Sequence, residues 1–285
     1  MIIDSQVHAY EANTSQRPWR NDPDWPPHVT GAEMLAAMDD VGVDGAILVS
    51  PFILYGYDAG YAVEIGAEFP DRFALVKMID SADPAVEDDI ALWKETPGTV
   101  GIRVRIDDRV STRPDDPGVA AAMRAAARHD LAVNVLCGGR VDDAIALVDR
   151  HPETRFVIDH LGIDQHFPVS ATPWRQLDGV LELGRRVNAM IKVSGACVLS
   201  KHPFPYPDIW GPLGRVFDAW GVERCLWGTD WTRTAKNVSY AQATIPFLLT
   251  DRLTEDERAK LMGGACAAAY GWAPSPASSE RARSR

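Results

Sequence analysis

Two imidazoles, one carboxylate and two arginines stand where short apolar runs of the chain come to an end. His8 closes the run Ile2–His8, and Asp4, Gln6 and His8 share one face of it because strand side chains alternate. Arg103 and Arg105 lie at the same period-two spacing in Val100–Ile106. Asp159 and His160 sit in Phe156–Gly162, Lys192 and Ser194 in Ala189–Gly195, and Thr229 and Asp230 in Cys225–Trp231. A buried charge costs several kcal/mol unless it is paired or ligated. Charges on several otherwise apolar runs therefore point to a site. A carboxylate such as Asp230 suits proton removal from water. Imidazole or amide N–H groups from His8, His160 and Gln6 suit a developing oxyanion. Arginine forks at 103 and 105 suit a substrate carboxylate. Each has a plainer alternative: Arg103 and Arg105 as structural partners of Asp159, Lys192 as an ion pair at a barrel floor, Gln6 as a satisfied buried amide.

The elements that must position these groups alternate. Besides the runs already named, Gly45–Pro51, Phe73–Ile79 and Ala132–Cys137 complete a set of eight rich in Val, Ile and Leu, as strands covered on both faces should be. Helical spacing fills the gaps at Glu33–Val41, Tyr57–Glu68, Pro84–Glu95, Gly118–His129, Asp142–His151, Trp174–Arg186, Asp208–Trp220 and Tyr240–Leu249. Thr30 and Glu33 form a capping-box signature before the first of these. Eight strands alternating with eight helices argue for a single (β/α)8 TIM barrel over residues 1–272. A doubly wound open sheet is the competing architecture, but the first turn, Ala9-Tyr10-Glu11-Ala12, has no glycine-rich phosphate loop. Thr254–Met262 reads as an extra C-terminal helix, and the Pro-, Ser-, Ala- and Arg-rich tail 273–285 as disordered. The long segment 9–29 carries Tyr10, Trp19, Trp25 and four prolines. Loops after strands line the catalytic rim of barrels, so Trp19 and Trp25, with Tyr55 from the next loop, are candidate substrate contacts. Packing for stability is the other role such a loop can have.

The 285 residues carry 29 basic and 40 acidic side chains, a net charge of −11. Such a surface repels nucleic-acid phosphates and anionic membranes, leaving a small-molecule substrate as the expected partner. No apolar run approaches the ~18 residues of a membrane span, and the start Met1-Ile2-Ile3-Asp4 lacks the basic, then apolar, pattern of a signal peptide. The four cysteines, 137, 197, 225 and 266, are widely spaced, which fits reduced core residues of a cytoplasmic protein. Oligomeric state is open.

Three segments carry a resemblance. Ile3-Asp4-Ser5-Gln6-Val7-His8, Phe156-Val157-Ile158-Asp159-His160-Leu161-Gly162 and Leu226-Trp227-Gly228-Thr229-Asp230-Trp231 resemble, in order, the strand motifs of the amidohydrolase superfamily. Together with Gly101-Ile102-Arg103 they are most similar to its amidohydrolase-related, type 2 branch, which includes lactonases. The resemblance spans residues 2 to about 272 and implies a barrel hydrolase, with opening of a lactone or related cyclic ester or amide as the typical chemistry. In one respect the chain departs: the first strand of the family usually reads His-x-His, and here the first histidine is Gln6. Glutamine is a weaker metal ligand than imidazole, which argues against a two-metal centre. His8, His160 and Asp230 still number the three protein ligands usual for one catalytic divalent metal, zinc first, with metal-free hydrolysis as the alternative. The favoured mechanism makes Asp230 the base, His8, His160 and Gln6 the oxyanion donors, and Arg103 with Arg105 the carboxylate clamp. The alternatives are a metal-dependent decarboxylase of an aromatic or enol acid and a non-catalytic small-molecule-binding barrel.

Overall fold

The computed structural model describes residues 1–107, 112–166 and 168–275. Eight parallel strands, β1 (Ile3–Val7), β2 (Gly45–Val49), β3 (Phe73–Met78), β4 (Thr99–Arg105), β5 (Ala132–Leu136), β6 (Phe156–Ile158), β7 (Ala189–Ser194) and β8 (Cys225–Gly228), pair strictly in sequence order. Between them run α1 (Gly31–Asp39), α2 (Gly60–Glu68), α3 (Val86–Lys94), α4 (Pro117–Arg128), α5 (Val141–Arg150), α6 (Leu177–Leu183), α7 (Trp210–Trp220) and α8 (Tyr240–Leu249). The result is the (β/α)8 barrel that the alternation of apolar runs anticipates, because parallel strands need crossover helices and bury both faces. The expected capping box forms at α1, with Thr30 and Glu33 bonded reciprocally.

The strands pack on two sides. Ile47, Val49, Ala74, Val76 and Val157 belong to a small inner cluster, whereas Ala46, Leu48, Phe73, Leu75 and Ile158 belong to the larger layer beneath the helices. The final helix runs through Glu255–Ala259, a π turn at Lys260–Gly264 and Ala265–Tyr270, longer than its sequence spacing suggested. Its Cys266, Ala269 and Tyr270 join the inner cluster, and the Tyr270 hydroxyl donates to Asn134 Oδ1 at 2.8 Å. This helix therefore closes one end of the barrel. Ser275 N still bonds to Asp71 O at 3.2 Å, three residues beyond the expected boundary at 272; the remainder of the tail lies outside the described residues.

The seam between β8 and β1 is closed by side chains as well as backbone. Asp230 N donates to Gln6 O at 3.0 Å. Asp4 Oδ1 accepts from Thr229 N at 2.9 Å and from Gln6 N at 3.0 Å. Asp4 Oδ2 accepts from the Thr229 and Tyr240 hydroxyls at 2.6 and 3.0 Å. Gly228 lets these strands approach: a Cβ there would lie 2.7 Å from Ser5 Oγ. Burial still pushes the Asp4 carboxyl up to about 6, against its four donors.

Two runs end earlier than their apolar pattern suggests. β6 stops at Ile158 and β8 at Gly228. His160 (φ 52°), Leu161 (φ 61°) and Asp230 (φ 51°) adopt the left-handed conformation instead. For a non-glycine residue this costs roughly 1–2 kcal/mol. It turns the chain sharply and aims His160 and Asp230 across the end of the barrel rather than along the sheet pleat.

Candidate active site

The C-terminal strand ends surround a cavity of about 750 Å³. Its polar wall includes His8, Arg103, Arg105, His160, Asp230 and Arg233; its apolar wall includes Trp25, Phe52, Met78 and Ile163. Asp230 comes from the end of β8, His8 from the end of β1 and His160 from the turn after β6. The three functional groups that lie far apart in the sequence thus meet at one place: His8 Nε2 is 3.6 Å from Asp230 Oδ1, and His160 Nδ1 is 3.7 Å from Asp230 Oδ2.

Hydrogen-bond partners fix the proton on each ring. His8 Nδ1 faces the Val49 carbonyl at 2.7 Å; a carbonyl only accepts, so this nitrogen carries the proton. Lys192 Nζ donates to Gln6 Oε1 at 2.7 Å, which turns the Gln6 amide nitrogen toward His8 Nε2 at 3.2 Å. His8 Nε2 is therefore an acceptor. Arg103 Nη2, a donor only, lies 3.3 Å from His160 Nε2, so the proton of that ring sits on Nδ1, 3.0 Å from Ser194 Oγ. Burial is the main reason both imidazoles fall to about 4, partly opposed by Asp230, and both are neutral at pH 7.

Below the cavity lies a buried charge network. Asp159 pairs with Arg103 Nε at 2.7 Å and with Lys192 Nζ at 3.0 Å. Burial raises the Asp159 carboxyl, but the two cations outweigh it and hold the group well below the usual carboxylate range. The plainer alternatives for Arg103 and Lys192 are thus real contacts, and Arg103 also faces the cavity. Arg105 is paired with Asp107 at 2.8 and 2.9 Å and lies against the Phe52 ring.

Asp230 is fully buried. Its Oδ2 accepts from Arg233 Nε, while its Oδ1 has no hydrogen-bond partner among the described residues. Burial would raise this carboxyl, but Arg233 and the two imidazoles lower it below its ordinary value, so it is ionised.

Of the loop aromatics, Trp25 lines the cavity and stacks on His8 with ring centroids 5.9 Å apart. Trp19 and Tyr55 lie behind the loop: Trp19 Nε1 donates to Glu11 O, and the Tyr55 hydroxyl accepts from Glu11 N. Their role here is to shape segment 9–29, whose ends are tied by the Tyr10–Val29 bridge. Gln6 is buried under the cavity rather than in its wall. Arg233, in the single helical turn Trp231–Thr234, and Gln165, in the loop after β6, are wall residues that strand-end reasoning does not find. The only sequence signal for Arg233 is a cation three residues after a strand-end acid, a spacing that faces inward when a helix begins there.

The donor set does not suit a divalent ion. Among the described residues, no group of three His, Cys, Asp or Glu side chains is arranged to hold one. His8 faces one oxygen of Asp230 and His160 the other, so the three do not converge on a point. Donors from Gln6 and Arg103 face the imidazole lone pairs that a metal would need, and Lys192 and Arg233 add positive charge.

The family model described as amidohydrolase matches residues 3–272. The chain belongs to the amidohydrolase family. It is a hydrolase in that family, as its strand motifs implied. An L-fucono-1,5-lactonase from Burkholderia multivorans is 25% identical over 236 residues, covering 77% of this chain and 78% of that protein. A D-galactarolactone isomerase from Agrobacterium fabrum is 32% identical over 94 residues, or 31% of each chain. A crystal structure of an amidohydrolase from Burkholderia multivorans with bound zinc superposes with a TM-score of 0.78 at 22% identity, covering 95% of this chain and 99% of that one; at that identity the likeness shows the fold. No helix among the described residues is long and apolar enough to cross a membrane.

Proposed function

We propose that this amidohydrolase opens a lactone ring by attack of a water held at Asp230 Oδ1. The observation that carries the proposal is the pair of acceptors facing each other 3.6 Å apart, an unpartnered carboxylate oxygen and a neutral imidazole nitrogen, in the cavity wall. A molecule that bridges them from the cavity side must donate hydrogen bonds, as water does. Asp230 takes the proton from the attacking water, a step worth on the order of 10²–10⁴ in rate, and returns it to the ring oxygen as the acyl bond breaks. The oxyanion donors expected from the sequence were His8, His160 and Gln6. The protons of both rings are spent on Val49 and Ser194, so Arg103 takes that role, with N–H groups beyond those given to Asp159 and His160. One such donor is typically worth about 10²–10³. Lys192 polarises the Gln6 amide, which keeps His8 an acceptor. Arg105 remains the contact for a carboxylate on the substrate, and Trp25 with Phe52 bounds the ring face. The family's metal chemistry would be supplied at His8, His160 and Asp230, but the donors around them do not fit it, and no step depends on it. The lactonase relative, aligned over most of the chain, supports the reaction class.

The test is a panel of neutral and carboxylated lactones with the purified protein, following ring opening. Opening of at least one, lost in Asp230→Asn, supports the proposal. Release of carbon dioxide without ring opening would establish the decarboxylase alternative. Tight binding of a lactone with no turnover would establish a binding barrel. Arg105→Met should raise KM more for carboxylated than for neutral lactones.

A further inference from the structure

We propose that Arg233 is the positioning residue of this site: it fixes the plane of the Asp230 carboxylate, so that one oxygen is engaged and the other is left to act on water. The inference rests on the assignment of Asp230 as the base. Three observations carry it. Arg233 sits one turn after Asp230 and binds Oδ2 side-on through Nε, leaving Oδ1 as the oxygen that faces His8. Arg233 is itself held: Nη2 donates to Gln165 Oε1 at 2.6 Å, and Gln165 Nε2 donates back to Ser194 O at 3.0 Å, on the strand whose Ser194 hydroxyl meets His160. The space for this arrangement is kept by Gly195, where a Cβ would lie 2.3 Å from Gln165 Oε1 and 3.2 Å from Arg233 Nη2, at a φ of +65°.

A carboxylate can rotate about its Cβ–Cγ bond, which tilts both oxygens away from any one neighbour. Terminal torsions of this kind are broad, so packing alone holds the plane only loosely. The Arg233 Nε–H pins one oxygen and so sets the plane, with the other oxygen directed to His8. Gln165 then stops the guanidinium from swinging into the cavity. In this arrangement Arg233 acts through Asp230, and the loops after β6 and β8 must be docked on one another before the base is aimed.

The experiment compares Arg233→Met and Gln165→Leu with wild type and Asp230→Asn, using a lactone that the wild type opens. Arg233→Met should lose about 10²-fold in kcat, the loss expected for misplacement of a reacting group by ~1 Å, with KM changed little. Gln165→Leu should show a smaller loss of the same kind, and the two losses should not add, because both act through one guanidinium. Free guanidinium should restore part of the rate of Arg233→Gly, which a loss of folding would not allow. Wild-type kcat in Arg233→Met, or a raised KM at unchanged kcat, would overturn the positioning role. A fall in Tm with unchanged kcat would do the same. If Asp230→Asn is inactive while Arg233→Met is normal, only this inference fails. If Asp230→Asn turns over normally, or the wild type opens no lactone, the functional assignment fails and Arg233 loses its role with it.

Discussion

Replacing Asp230 by asparagine changes one atom, and the structure dictates where that atom goes. Arg233 can only donate, so the amide oxygen must take the Oδ2 position beside it. The amide NH2 is then forced to the Oδ1 position, 3.6 Å from His8 Nε2, itself an acceptor. The variant therefore loses a base and also places a donor where the attacking water should give up its proton. Loss of general base catalysis alone is about 10²–10⁴, or about 2.7–5.4 kcal/mol of barrier at 1.36 kcal/mol per decade. The added block places the expected loss in kcat at the upper end of that range. KM should move little, because the cavity-wall residues proposed to hold the substrate, Arg105, Phe52 and Trp25, are untouched. The assay is steady-state ring opening, with substrate binding measured separately by calorimetry. A kcat within tenfold of wild type would refute the assignment of Asp230 as the base. So would an equal loss in both kcat and binding, which would make Asp230 a general anchor rather than a group acting in the transition state.

Other consequences follow from the same geometry. Lys192→Met removes one of the two cations paired with Asp159 and the donor to Gln6, leaving buried polar groups short of partners; breaking buried pairs of this kind costs about 3–5 kcal/mol, so Tm should fall sharply, and an unchanged Tm would show that the network does not support the barrel. Both imidazoles have folded values of about 4 against 6.5 when free, so the unfolded chain takes up their protons first as pH falls. Stability from these groups is present above 6.5 and is lost toward pH 4, and melting curves between pH 7 and 4 should show it. kcat/KM should stay level with respect to these two groups down to about pH 5 and fall through 4, as His8 gains a proton facing Asp230; an imidazole limb near 6.5 would contradict the burial argument. Elemental analysis should find divalent metal well below one per chain, with full activity after chelation; stoichiometric zinc whose removal abolishes turnover would show that the donors rearrange to hold it.

Much of this was legible in the residues. The apolar runs specify the barrel because strands covered on both faces cannot hide their composition. Placing His8, His160 and Asp230 together needs only the rule that strand ends converge. The exact strand ends were not legible, since the left-handed turns at His160 and Asp230 oppose local preference and are held by tertiary contacts. Nor was the division of labour among donors. The orientation of the Gln6 amide is fixed by Lys192, 186 positions away in sequence, and the Asp230 carboxylate is met by Arg233, whose long side chain has no preferred direction of its own. Trp19 and Tyr55 look like substrate contacts by type and loop position, yet whether a ring faces the cavity or the back of its loop depends on how segment 9–29 folds over Glu11.

The most direct measurement of the central claim is ring opening in 18O-labelled water, with the product analysed by mass spectrometry. Attack by a water held at Asp230 predicts one labelled oxygen per turnover, located in the new carboxylate, with labelled product forming about 10²–10⁴ more slowly when Asp230→Asn replaces the wild type. A product formed without label, by isomerisation or by loss of carbon dioxide, or labelled product formed by the asparagine variant at the wild-type rate, would contradict it.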